Sequence, residues 1–536
     1  VNAVHEPSGF WRKYIFSTDH KVIGIQYMVT AIVMALVASA LAILIRVQLA
    51  WPEQQVIAPE TYLNIVTIHG TIMIFFVVSL ALIGGFGNFL IPLHVGARDM
   101  AYPMLNMLSY WTIVPACLLM ILAMFVEGAG GGWTAYPPLS AIAGMGQSIW
   151  LLSMALFIAS FTMGGLNYIT TILNCRAPGM TLMRMPLSTW TFFIASILGV
   201  LTFPALTAAA IMLLFDRHGG TSFFIPTGMI VGSKVLPNQG GTPLLFQHLF
   251  WFLGHPEVYV LVLPALGIGF DVLAAFARRP PFGYRITVYS LLVVTFLSVI
   301  VWGHHMFVTG MNPYIGKYFS IATVLITIPF AVIGLNLIAS LWRARLRLTS
   351  ASLFAIGLIS ALGFGGLGGL YLGTAASDIH FHATYFVVGH FHFMIGTVTF
   401  FAIFAGLYFW FPKMFGRFLD EKLGRVHFWL TLVPMFAVFF LMHLQGFGHL
   451  VRRTYDSAYD FARPVTGMHV PISIFAFILV AGQLVFLANF VLSLFKGRKS
   501  DRNPWEAATL EWSTDSPAPH GNWDGPVPTI SRGAYE

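Results

Sequence analysis

Six histidines stand inside strongly apolar sequence: His69 in TIHGTIMIFF, His255 in WFLGHPEVYV, His304 and His305 in VWGHHMF, and His390 and His392 in VVGHFHFM. Ionisable side chains are costly in hydrocarbon and mark functional sites there. A single one could be a core histidine bonded to a neighbouring carbonyl, but six at similar depth point to ligation. On a helix, residues two apart differ by about 200°, so His390 and His392 face opposite sides. Each can hold a separate planar cofactor, and imidazole is a normal axial ligand to haem iron. The spacing leaves open which haem His69 ligates. His304 and His305 differ by about 100°, so both can reach a site at one helix edge. With His255 from the neighbouring span they offer three nitrogens, a set that suits copper, iron or zinc and leaves a position open for substrate.

The stretch around His255 carries more polarity than its apolar neighbours explain. Tyr259 is four residues from His255 and shares its helix face. A phenol beside a metal ligand can give up both an electron and a proton. Glu257 lies about 200° from His255 and faces elsewhere into the bundle. A glutamate this deep is costly to ionise, which suits a group that loads and passes protons. Pro256 removes an amide hydrogen and is expected to kink the helix at the site.

The elements that must position these groups are membrane helices. Only 9% of the 536 residues are charged, against about 25% in a soluble domain, so most of the chain does not face water. Runs of roughly 20 apolar residues, enough to cross about 30 Å of hydrocarbon, fall near residues 22–48, 63–93, 108–127, 148–173, 186–215, 245–275, 286–308, 318–342, 350–373, 384–412, 426–448 and 469–495. The expected fold is therefore an all-α membrane protein, a bundle of twelve transmembrane helices. Continuous apolar length rather than alternation excludes a barrel. Lysine and arginine gather in the N-terminal segment, in alternate loops and in the tail FKGRKSDR, which puts both termini in the cytoplasm. The six histidines then lie in the outer half of the membrane. The divisions are an N-terminal segment 1–21, a core 22–496 and a tail 497–536. The opening stretch is polar and basic, unlike a cleavable signal. The net charge of +8 follows this membrane pattern rather than forming a patch for nucleic acid. Cys117 and Cys175 suggest neither a disulfide nor a CxxC metal site.

The set WFLGHPEVY, VWGHHMF, YFVVGHFHF and HGTIMIFFVV…GGFGN resembles the core motifs of subunit I of the haem–copper oxygen reductases, of the cytochrome c oxidase type. The similarity runs from STDHKVIG at residue 17 to LEWSTDSPAPHGN near residue 510, and the family has twelve helices. The resemblance implies that His69 and His392 are axial ligands of a low-spin haem. It makes His390 the ligand of a high-spin haem, and His255, His304 and His305 those of a copper facing it. It implies a covalent bond between Tyr259 and His255, and Trp251 packed beside the copper. Arg452 and Arg453 would bind haem propionates, with Trp133 close by. Asp378 and His382 correspond to ligands of a magnesium or manganese ion. Arg46 matches the residue that contacts the formyl group of haem A.

Reduction at a buried site needs a proton route. Asp99 sits where an inner entrance belongs; alone it would read as a solvated loop charge. With Asn106, Asn88, Ser160 and Asn167 it matches the family's D pathway, which leads to Glu257, although Phe161 replaces one expected hydroxyl. The family's second pathway carries a lysine within a PTGIK-like stretch. Here PFAVIGLN, residues 329–336, places Ile333 at the lysine position and Phe330 at the threonine position, and Lys317 lies at the outer end of the span. That route is expected to be absent. Gln48 stands where a carboxylate often helps bind a structural cation, and Ala383 where an aspartate follows the magnesium-site histidine.

The function implied is reduction of dioxygen to water with proton pumping. The alternative is a nitric oxide reductase of the same superfamily: the missing lysine leans toward it, while Tyr259, Glu257 and the Asp99 series lean against. A haem carrier or transporter would not need three copper ligands and an adjacent tyrosine. The resemblance also implies partners. These are a subunit II, with a copper centre if the donor is cytochrome c and without one if it is quinol, then subunit III, small subunits and membrane lipids. A bacterial inner membrane is the expected location.

Overall fold

The computed structural model describes residues 9–457 and 459–536; the first eight residues of the N-terminal segment lie outside the described residues. The main helices, in chain order, are α1 (His20–Ala50), α2 (Pro59–Val95), α3 (Pro103–Phe125), α4 (Met145–Asn174), α5 (Leu187–His218) and α6 (Pro243–Ala277), then α7 (Tyr284–Ser298), and finally α8 (Pro313–Leu341), α9 (Ser350–Gly373), α10 (Tyr385–Phe415), α11 (Glu421–Phe447) and α12 (His469–Lys496). Eleven are long and apolar enough to cross a membrane; α7 is apolar but has only 15 residues. Fifteen residues of helix reach about 22 Å, short of the hydrocarbon thickness. Cys117 and Cys175 are both free.

Burial separates centre from rim. The most apolar stretch of α6 is 94% buried, that of α10 83% and that of α2 78%, against 28% for α1 and 22% for α12. Large side chains on the outer helices, such as Phe125 and Phe495, are exposed, as a lipid-facing surface requires. The three central helices carry His69, His255, Glu257, Tyr259, His390 and His392, so the polar groups of the sequence gather where lipid cannot reach them. Two of these helices widen into π turns, at Ile72–Val78 and Leu80–Gly87 in α2 and at His392–Val398 in α10. Such turns are frequent at functional sites. The third, α6, continues through Pro256 and Pro264 without a break.

The expected span 286–308 differs from what is observed. The α-helix stops at Ser298, and His304 and His305 stand on a 3₁₀ turn, Trp302–Met306, rather than on an α-helix. Gly303 is what lets this turn seat against α8, because a Cβ there would overlap the Phe319 ring.

The proline-rich tail folds back across the end of the bundle where α1 begins and α12 ends. Glu511 accepts from Trp410 Nε1 at 3.0 Å and lies 3.3 Å from His94 Nε2. Ile530 N donates to Pro178 O at 2.8 Å, and the Tyr535 hydroxyl donates to Asp271.

Candidate metal centre and proton route

The three histidines from α6 and the 3₁₀ turn converge, their ligand atoms all within 4.8 Å of one another. His305 Nε2 lies 3.2 Å from His255 Nδ1 and 3.1 Å from His304 Nε2. Nitrogens bound at about 2.0 Å to one small metal ion have comparable mutual spacing. Two of the rings are oriented from outside. Thr323 Oγ1 is 2.9 Å from His304 Nδ1, and Trp251 stacks on His305 with ring centroids 3.8 Å apart. Trp251 Nε1 in turn donates to the Tyr136 hydroxyl. His255 Nε2 is buried without a hydrogen-bond partner, and the Tyr259 ring lies 4.9 Å from the His255 ring. Imidazole nitrogens crowded against each other, with no acid among the described residues to pair them, fit a cation better than they fit a core.

The other three histidines present the pattern expected of axial ligands. His69 Nδ1 meets Ala38 O at 2.9 Å, His390 Nδ1 meets Gly365 O at 2.9 Å, and His392 Nδ1 meets Val388 O at 2.9 Å. A hydrogen bond to a carbonyl fixes the proton on Nδ1 and leaves Nε2 free to bind iron. The ring of His392 is held between Phe391 and Phe439, with centroids at 4.4 and 4.7 Å.

Beyond the far end of α11, Arg452 and Arg453 come together without an ion pair among the described residues. Arg453 Nη2 is buried without a partner. Burial and the neighbouring Arg452 push its guanidinium down to about 9. Two such cations call for anionic groups, a role carboxylates of a bound cofactor would fill. Trp133 packs edge-on against Trp251, centroids 5.9 Å apart. Arg46, on α1, is buried; its Nη2 is 3.5 Å from His469 Nδ1, and its Nη1 has no partner. His382 Nδ1 is 3.0 Å from Asp378 Oδ2, so this pair is preassembled. Gln48 is saturated without any ion. It donates to Gln54 O at 2.9 Å and Tyr455 O at 3.2 Å, and accepts from Val56 N and Ile57 N.

The acid series runs along α2, α3 and α4. Asp99 is half-buried in the α2–α3 loop, its Oδ1 accepting from Met100 N at 2.7 Å. Burial, with Asp19 nearby, raises its carboxyl to about 7. Asn167 clasps Tyr102 through N and O at 2.9 and 3.0 Å. Asn106 is fully buried with neither side-chain polar atom paired, and Asn88 Oδ1 is likewise unpaired. Ser160 donates to Ser109 O, and Tyr27 joins both serines. Glu257 is 1% exposed; Ser79 donates to its Oε1 at 3.2 Å and its Oε2 has no partner. Buried polar atoms left unpaired by protein are where ordered water binds. Phe161 interrupts the polar series by packing on Phe203 and Phe157, centroids at 4.9 and 5.5 Å.

The α8 side of Tyr259 is different. Phe330 meets it with ring centroids 6.3 Å apart, and Ile333 is fully buried. Sequence reasoning missed Thr323, Ser79 and Tyr136 as supports, and nothing in their local sequence marks them. It also missed His443, whose Nε2 borders Gly368 together with His390.

With this geometry in hand, the class is defined: residues 22–481 match the family described as cytochrome c and quinol oxidase polypeptide I, and the chain belongs to it. It is an integral membrane oxidoreductase, subunit I of a multi-subunit haem–copper oxygen reductase, with haem and copper as cofactors. It is 44% identical to the alternative cytochrome c oxidase subunit 1 of Bradyrhizobium diazoefficiens, over 99% of this chain and 92% of that one. Cytochrome c oxidase subunit 1 of Thermostichus vulcanus is 42% identical over 99% of this chain and 94% of its own. A haem–copper oxidase subunit I+III of Aeropyrum pernix is 40% identical over 97% of this chain and 62% of its own length. Among solved structures, a haem–copper terminal oxidase dimer shares the fold at TM-score 0.75 and 18% identity, covering 90% of this chain and 85% of that one.

Proposed function

We propose that this subunit reduces dioxygen to water at a high-spin haem and copper pair and translocates protons as it does so. The convergence of His255, His304 and His305 beside Tyr259 carries the reading. His69 and His392 hold the low-spin haem, His390 the high-spin haem, and the three converging histidines the copper. Arg452, Arg453 and Trp133 bind the propionates. Arg46 supports haem A, and Asp378 with His382 supplies ligands of a magnesium or manganese ion. Twelve helices cross a bacterial inner membrane with both termini cytoplasmic, α7 and the 3₁₀ turn together forming the seventh crossing. Residues 1–21 and 497–536 flank the core 22–496. Subunit II brings the electrons, through its own copper centre if the donor is cytochrome c and without one if it is quinol, and subunit III and small subunits complete the complex.

The bound haem and copper supply the electrons and the place where dioxygen is reduced; the chain supplies protons, position and dryness. Four protons and four electrons convert one dioxygen to two waters. Tyr259 holds one of those protons at its hydroxyl oxygen, one helical turn from the ligand His255. Glu257 holds the next at its carboxyl, anchored by Ser79 and free at Oε2. Asn88, Asn106, Ser160 and Asn167 order water between Asp99 and Glu257, and Asp99 admits protons at the inner end.

The purified complex tests this directly by parallel uptake of oxygen and nitric oxide. Rapid oxygen uptake, lost with the copper in His304→Ala, is expected. Nitric oxide consumption without oxygen uptake would contradict the reading.

A further inference from the structure

Where the end of α1 meets the starts of α10 and α12, two buried donors have nothing to donate to. Arg46 and His469, the first residue of α12, are both buried. Arg46 Nη2 lies 3.5 Å from His469 Nδ1, and Ser473 Oγ donates to Arg46 O at 3.2 Å, so α12 is fastened to α1 at this point. The Tyr385 ring of α10 stands edge-on to His469 with centroids 5.4 Å apart, and its hydroxyl reaches the guanidinium. Arg46 Nη1 and His469 Nε2 still have no hydrogen-bond partner among the described residues.

The tautomer of His469 follows from this neighbour. A guanidinium carries donors and no acceptor, so the ring nitrogen facing Arg46 is the accepting one. A neutral imidazole that accepts at Nδ1 carries its proton at Nε2. Both free nitrogens are therefore N–H donors, on two residues already in contact. Buried donors are satisfied almost without exception in folded proteins, so this pair calls for an acceptor that the chain does not provide. Position says which one. Arg46 lies two turns along α1, about 12 Å, from Ala38, whose carbonyl orients His69. Tyr385 lies two turns before His392 on α10. That offset from both axial ligands suits a substituent on the rim of the low-spin haem rather than its iron.

We infer that His469 is a second hydrogen-bond donor to the formyl oxygen of the low-spin haem, sharing that oxygen with Arg46. This rests on the reading of Arg46 as the residue at the formyl group. A carbonyl oxygen has two lone pairs and takes one N–H from each residue. A methyl group in its place would leave both donors buried and unmatched, the situation a site built for hydrogen bonding discriminates against. Donation to the formyl draws electron density out of the macrocycle. It favours ferrous iron and moves the visible absorption to longer wavelength, and hydrogen bonding of this kind is one of a protein's levers on a haem.

The test uses the assembled oxidase and reads the formyl stretch of the low-spin haem by resonance Raman, its visible band and its redox equilibrium. His469→Phe is expected to raise the stretching frequency and shift the band to shorter wavelength. It is also expected to favour ferric iron about threefold, the low end of one hydrogen bond. His469→Gln keeps an acceptor for Arg46 and a donor in one side chain, and is expected to stay near wild type in all three. Unchanged readouts in His469→Phe, or a His469→Gln that matches it, would overturn the inference. A second comparison separates donation from positioning. In an Arg46→Met background, His469→Phe is expected to raise the stretch further; no further change would mean that His469 only holds Arg46 in place, and the inference fails. Extraction of a haem that lacks a formyl group would show that the Arg46 reading itself is wrong, and would take this inference with it.

Discussion

Two sides of Tyr259 offer protons very different paths. On the side of α2, α3 and α4, buried polar atoms of Asn88, Asn106 and Glu257 are left unpaired by protein. On the side of α8, Phe330 packs toward the phenol and Ile333 is sealed in the core. The first side keeps the cost of unsatisfied polar groups, which only water can relieve. The second is lined by apolar side chains that carry no such cost. Under the proposed function, the polar side is the one that carries protons.

The sharpest way to break this contrast is at its inner terminus. Glu257→Gln keeps the shape and the Ser79 contact but cannot release a proton. Turnover in oxygen uptake is expected to fall about 100-fold or more. A variant that turned over normally would show that protons reach Tyr259 from elsewhere.

The pH profile comes next. Asp99 carries a carboxyl raised to about 7, chiefly by burial. Its neutral, proton-bearing form is therefore populated below pH 7 and lost as pH rises through it. Turnover limited by this acid is expected to be flat below pH 7 and to fall about tenfold per unit well above it. A steady-state profile still level at pH 9 would place the limiting acid elsewhere.

Smaller effects separate the two sides directly. Asn106→Leu removes two unpaired polar atoms and the water they order; losing about one hydrogen bond's worth of support is expected to slow turnover about tenfold. Phe330→Leu and Ile333→Val on the α8 side are expected to leave turnover within about twofold of wild type. If the apolar pair slowed the enzyme as much as the asparagine did, the contrast between the sides would collapse.

The site was legible in the sequence because hydrocarbon makes polarity rare. Six histidines, Glu257 and Tyr259 stand out of apolar runs, and their spacing sorted the converging set from the pair on α10. What stayed hidden depends on contacts between distant segments. The end of α7 at Ser298 is followed by a turn whose Gly303 packs closely on Phe319, a contact hydropathy cannot register. The Asp19–His520 pair joins residues some five hundred positions apart, and a proline-rich tail reads only as a loop. Gln48 was recognisable as a departure from the family, but only its four backbone partners show that its amide makes the contacts itself.

The central claim is that one inlet, beginning at Asp99, feeds every proton the site consumes or translocates. Oxygen uptake by the purified complex, wild type beside Asp99→Asn, with proton release followed in liposomes, tests it most directly. The account predicts that the variant loses nearly all turnover and all proton release together. A variant that went on reducing oxygen at a substantial rate while releasing no protons would reveal a second inner entrance, and the sealed α8 side would no longer describe how this enzyme works.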